Sequence, residues 1–139
     1  MSFADQICAM QPGLPACDAA RMAPLTLAYI GDTVYDLYVR TLLLHKSDAT
    51  VHRLHLQAAA LVRASAQAQA SIRVLPMLNE EEAAVFRRGR NTHMGSVPRN
   101  ASIADYRAAT GLEAVLGYLF LKGEDERVKE LMSAALLLN

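Results

Sequence analysis

Three carboxylates stand where the chain otherwise carries no charge. In residues 25–39 the only charged side chains are Asp32 and Asp36, and in GLEAVLGYLFL, residues 111–121, Glu113 is the only one. Burying a lone carboxylate in an apolar helix costs several kcal/mol unless it meets a positive partner or a bound cation. Three dispositions satisfy Asp32 and Glu113: shared ligation of a cation, separate ion pairs with arginines, or exposure on a solvent-side stripe. Pattern alone leaves all three open. Glu113 lies one turn before Gly117 and three residues after Thr110, on a face of small residues that admits a partner helix or a ligand. Asp36, one turn after Asp32, could support the same site, and its spacing does not assign it a role.

A second feature is cationic. Arg87, Arg88, Arg90, Arg99 and Arg107 are accompanied between 87 and 107 by one acid, Asp105, with Gly89, Gly95, Pro98, Asn91, His93 and Asn100 interleaved. Arginine grips phosphate oxygens through a planar fork, so such a cluster on a glycine-bearing loop suits a polyphosphate backbone. The bland alternative is a solvated surface loop. Arg53, Arg63 and Arg73 do not keep to one helix face and read as solvent contacts.

Other chemistries find little support. His45, His52, His55 and His93 show no metal-ligand spacing, and Cys8 and Cys17 are too few for a disulfide framework and have no acidic or histidine cluster beside them. No GK[ST] phosphate loop, GxSxG, HExxH or CxxC occurs. Tyr29, Tyr35 and Tyr38 fall at helical spacings and are expected in the core.

The elements that must position these residues read as helices. Residues 1–23, punctuated by Pro12, Gly13 and Pro15, are expected to form an irregular arm, and 24–139 the folded domain. Pro24 suits the first turn of a helix reaching Leu44; the β-branched and aromatic content of 25–44, with Gly31-Asp32 midway, also admits two short strands around a turn, and the length favours the helix. Asp48 is expected to cap a helix over 49–73, with Val51, Leu54, Ala58, Leu61, Val62, Ser65, Ala68 and Ile72 inward and Gln57 and Gln67 on other faces. Asn79 with Glu80, Glu81 and Glu82 marks a start whose carboxylates suit the positive end of the helix dipole, running to about Arg88. A polar loop follows, then a Ser102-capped helix to about Leu121, closed by Gly123, and a last helix over 124–138. No segment requires a strand, so the fold class is all-α.

Composition narrows the function classes. Lys+Arg and Asp+Glu both number 14 in 139 residues, which excludes an all-over cationic surface but not a local patch. The length suits one domain, and a 53% apolar share argues against disorder and points to a buried subunit interface. No stretch has the ~18–20 uncharged apolar residues that span a bilayer, and the first residues lack a basic n-region leading into an apolar run. A cytoplasmic protein with no membrane role is expected.

The segments LAYIGDTVYDLYVR (27–40), RRGRN (87–91), PRNAS (98–102) and ATGLEAVLGYLFLKG (109–123), in that order, resemble the Mini-III ribonucleases, the short bacterial relatives of ribonuclease III without its separate RNA-binding domain. The resemblance covers about residues 24–132. It implies a helical-bundle ribonuclease III endonuclease fold, a homodimer, and Mg²⁺-assisted hydrolysis of double-stranded RNA in maturing the large-subunit (23S) ribosomal RNA precursor. It also leaves open whether a ribosomal protein assists. Asp32 matches the aspartate of the first signature and Glu113 the glutamate of the second. The larger relatives carry two further acids, where this chain has Ala28 and Thr110. On this reading Asp32 and Glu113 hold Mg²⁺ and act in catalysis, while Arg87, Arg88, Arg90, Asn91 and Arg99 position the RNA backbone. The missing acids motivate the alternative, a catalytically reduced RNA-binding or scaffolding dimer of the same fold.

Overall fold

Every element that forms in residues 1–92 and 102–138, the part of the chain that the computed structural model describes, is helical. In order these are α1 (Phe3–Cys8), a 3₁₀ turn (Ala19–Arg21), α2 (Pro24–Lys46), α3 (Val51–Val62), α4 (Ala64–Val74), a second 3₁₀ turn (Leu75–Met77), α5 (Glu80–Asn91), α6 (Ile103–Leu121) and α7 (Asp125–Ala135).

The bundle is built around α6. From Ala109 to Phe120 every residue except Glu113 is buried, because α2, α4 and α5 pack on its sides and α7 joins them. That accounts for a sequence apolar on all faces: α6 is the core, not a helix at the edge of one. Leu27, Tyr35 and Val39 of α2, Val74 of α4, Val85 and Phe86 of α5, and Leu131 and Met132 of α7 close on Leu112, Val115 and Leu116.

Local signals fix the ends. Ser102 accepts from the Asp105 amide, and Gly123 turns the chain out of α6 at φ +80°, a backbone region that favours glycine. Asn79 and Glu82 form a reciprocal capping box, each side chain accepting from the other's amide. The Glu82 carboxylate is buried and continues into a two-pronged pair with Arg127, both contacts 2.9 Å, which ties α7 to the start of α5.

Several expectations are corrected. The helix expected over 49–73 is two helices, broken at Arg63, whose ψ of 157° leaves the helical region. Thr50, not Asp48, caps α3 by accepting from the Arg53 amide. The break resets the helical phase, so in α4 Ile72 is exposed and Gln67 turns inward; Val51 and Leu61 of α3, also expected inward, are exposed. Arg73 is not a solvent contact: its guanidinium donates to the Ala134 and Ala135 carbonyls at 3.1 and 2.5 Å, capping the end of α7. The first 23 residues are not irregular throughout. A Ser2–Asp5 capping box starts α1, and the Phe3 ring meets Phe120 edge-on at 5.7 Å. Of the three tyrosines expected inside, Tyr35 is buried, Tyr38 half-buried and Tyr29 80% exposed. The last helix is shorter than 124–138, ending at Ala135.

Candidate active site

Two glycines set the site. An added Cβ on Gly31 would lie 1.7 Å from the Glu113 carbonyl oxygen, and one on Gly117 would lie 1.9 Å from that of Leu27. Helices α2 and α6 therefore touch backbone to backbone, which only glycine allows at both positions. Asp32 follows Gly31, and Glu113 stands one turn before Gly117, so the crossing brings together two carboxylates far apart in sequence. Their side chains come within hydrogen-bonding reach. Asp32 lies on the exposed side of α2 and Glu113 is half-buried, so the pair opens to solvent through Asp32.

The electrostatics of the pair are those of two acids crowded together. Burial pushes the Glu113 carboxyl up to about 9, and the hydrogen bond and negative charge of Asp32 push the same way. The opposing influence is Gln67 of α4, whose amide donates to Glu113 Oε2 at 3.4 Å. Among the described residues no lysine or arginine forms an ion pair with either acid. Asp36 is committed elsewhere, to Arg40 at 2.8 Å. Tyr35 is buried nearby; burial raises its hydroxyl above the ordinary range, the Arg73 charge lowers it and Glu113 raises it.

Ala28 and Thr110, where the larger relatives carry acids, are both buried, and the Thr110 hydroxyl donates to the Tyr106 carbonyl at 2.9 Å. Among the described residues no group of three or more His, Cys, Asp or Glu side chains is placed to hold a metal. What is present is a pair of carboxylates at a solvent-facing edge, all hard oxygen donors. That set fits Mg²⁺, which takes one or two carboxylates and completes its octahedron with water and phosphate oxygens.

The cationic cluster sits differently from expected. Arg87, Arg88, Arg90 and Asn91 are not on a loop but on the last turns of α5, all exposed. Arg99 lies outside the described residues, as does His93. Gly89 lets this turn approach α6: its Cα substituent would meet the Gly111 Cα and Ala114 Cβ at 3.0 Å, the turn of α6 that also carries Glu113. Arg87, Arg88 and Asn91 share an open groove with Pro24 and Thr92. Arg90 lies over the Phe86 ring, 6.0 Å from its centroid, which holds its stem along α5.

Sequence reading missed Gln67. Its polarity and its place in an unbroken helix put it on the solvent side; the signal that could have found it is the run of alanines around it, Ala64, Ala66, Ala68 and Ala70, which lets α4 come close to a neighbour.

A helical bundle with a crowded acid pair and an arginine-bearing helix end is compatible with phosphodiester chemistry, and the comparisons give the class. The ribonuclease III domain model matches residues 25–124. The chain is 49% identical over 116 residues to Mini-ribonuclease 3 of Clostridium tetani, covering 83% of this chain and 77% of that one. It is 44% identical over 111 residues to Mini-ribonuclease 3 of Thermoanaerobacter sp., covering 80% and 78%. A crystal structure of a Fusobacterium nucleatum protein superposes with a TM-score of 0.77 at 26% identity, over 84% of this chain and 93% of that one. The chain belongs to the ribonuclease III family, in its short Mini-ribonuclease 3 form, and is an endoribonuclease. The resemblance expected from four sequence motifs holds, and the enzymatic reading stands over the scaffolding one.

Proposed function

We propose that this endoribonuclease hydrolyses double-stranded RNA with Mg²⁺ held by Asp32 and Glu113, acting as a homodimer on the stem of the 23S ribosomal RNA precursor in the cytoplasm. The observation that carries the reading is the contact between the Asp32 and Glu113 carboxyls with a neutral amide as the further partner of Glu113. Such a pair is electrostatically unfavourable in isolation and favourable around a divalent cation.

The work of the chain's own residues follows. Asp32 and Glu113 would together hold the cation at the solvent-facing edge of α2, Glu113 giving up its proton to do so. Arg87, Arg88, Arg90, Asn91 and Arg99 hold phosphates of the duplex, whose A-form major groove hides its base edges from side chains and leaves phosphates and 2′-hydroxyls to be read. Mg²⁺, when bound, stabilises negative charge on the phosphoryl oxygens and eases ionisation of the attacking water. With two carboxylates the site has a formal charge of −2, which balances one divalent cation and favours no second. The assignment to the 23S precursor rests on the family resemblance.

The test is to incubate the pure protein with a long RNA duplex in Mg²⁺ or in EDTA. Fragments that appear only with Mg²⁺, with a rate rising without cooperativity in Mg²⁺, are expected. Cleavage unaffected by EDTA overturns the proposal, and a Hill coefficient near two overturns its single cation.

A further inference from the structure

The buried polar residues of α4 are Gln67 and Ser71. Ser71 is satisfied inside its own helix, its hydroxyl donating to the Ala68 carbonyl at 2.7 Å. Gln67 reaches out of its helix, and at 2% exposure its amide meets Glu113 of α6. A buried primary amide is costly to leave unpaired, so a glutamine among alanines at a helix interface calls for a partner that repays it.

Placing it there takes a departure from regular structure. The break at Arg63 turns α4 relative to α3, and Gln67 comes one turn later. A chain that continued α3 unbroken would carry this side chain on another face. The donor is also neutral. An arginine or lysine at this position would pair with Glu113 and compete with a cation for it, whereas an amide occupies one oxygen, Oε2, and leaves the other and the net charge to a metal. Groups that hydrogen-bond the outer side of a metal ligand orient it and raise its affinity for the ion, and their loss typically weakens binding about 10–100-fold.

We infer that Gln67 is a positioning residue for the cation site: the break at Arg63 delivers its amide to Glu113 Oε2, orienting that carboxylate toward an ion shared with Asp32. The inference rests on the proposal that Asp32 and Glu113 hold the cation.

The experiment measures Mn²⁺ affinity of the full chain without RNA, by electron paramagnetic resonance, and RNA affinity without metal. Gln67→Met keeps the side chain's length and bulk and loses the donor; Gln67→Asn keeps the amide and falls one methylene short. Both are expected to bind Mn²⁺ about 10-fold more weakly, to need correspondingly more Mg²⁺ for half-maximal cleavage, and to bind duplex RNA in EDTA as the unmodified chain does. Glu113→Gln run alongside separates the two claims. If it retains Mn²⁺ affinity, the cation site itself is wrong. If it loses affinity while either folded Gln67 variant keeps it, the cation site stands and the role of Gln67 is overturned. RNA affinity falling as much as metal affinity would also overturn it, showing general packing damage. A measurement on the unmodified chain does not depend on the variants folding. The Gln67 side-chain amide resonance should shift on Mg²⁺ addition in proportion to site occupancy, and an unmoved resonance at saturation overturns the inference.

Discussion

Glu113 keeps its proton to about pH 9 because burial and the neighbouring Asp32 both disfavour its charge. An acid whose folded value lies above its unfolded value gives stability that is present below the unfolded value and is lost as pH rises toward the folded one. The metal-free protein should therefore lose stability between about pH 5 and 9, and Glu113→Gln should remove that dependence. Its melting temperature is expected to equal the unmodified chain's near pH 5 and to exceed it by a few degrees near pH 8, as circular dichroism melts in EDTA would show. In the cleavage assay the same variant, like Asp32→Asn, should fall by about 10³-fold or more, the scale of losing charge stabilisation in the transition state. Near-normal cleavage by either variant would remove these residues from the site. The Glu82–Arg127 pair behaves oppositely. The hydrogen bonds from Arg127 lower the Glu82 carboxyl below its ordinary range, so its stabilisation is present at neutral pH and lost as pH falls through the folded value. Arg127→Ala leaves a buried carboxylate without its cation and should cost about 3 kcal/mol at pH 7, read by urea denaturation, with a smaller difference in acid.

At the scale of elements, the site depends on how closely α2 and α6 cross. Gly31→Ala and Gly117→Ala each drive a methyl into a backbone carbonyl at under 2 Å, and backbone cannot rotate away as a side chain can. Each should destabilise the fold by about 3 kcal/mol, the upper range for overpacking. Cleavage should fall even at temperatures where the variant stays folded, since the carboxyls move apart; denaturation midpoints and single-turnover rates check both. Much of this framework was legible in the sequence because its signals are local: Pro24 and Ser102 start helices, Asn79 with Glu82 makes a capping box, and Gly123 ends α6. The lone acids were legible too, as charges with nothing nearby to explain them. What could not be read was set by contacts distant in sequence. No glycine or proline marks the break at Arg63, and without it the phase of α4 comes out wrong, which hides Gln67 and misplaces Ile72. Arg73 looks like a solvent arginine until the end of α7 arrives to receive it, and α1 is held by Phe120 and Asp125, more than a hundred residues away.

Over the whole molecule the charges cancel, 14 against 14, yet they are not evenly spread: no acid occurs from Ala49 to Asn79, and Arg87, Arg88 and Arg90 end α5. Binding through phosphates predicts a definite salt signature. Arg88→Ala with Arg90→Ala should weaken duplex binding and flatten its log–log salt dependence by roughly one unit per lost contact, measurable by filter binding across a salt series; an unchanged slope would make the cluster a solvated helix end. The apolar surplus leads to the last expectation. From Ala109 to Phe120 α6 spends its apolar residues inside the bundle, whereas α2 leaves Leu25, Tyr29, Leu37 and Leu44 at 44, 80, 50 and 65% exposure. At 100° per residue these four fall on one side of the helix, with the Asp36–Arg40 ion pair among them and Asp32 on the margin. A face of that kind beside the site is the surface on which two copies would pair, and two-fold pairing would supply two antiparallel sites for the two strands of a duplex. Light scattering should therefore give about twice the 15.1 kDa chain mass at micromolar concentration. Tyr29→Ser with Leu25→Ser should shift it to the single-chain mass without altering the helical signal, because neither side chain is part of this chain's own core. A mass of 15.1 kDa for the unmodified protein would overturn the pairing and leave the exposed face of α2 to another partner.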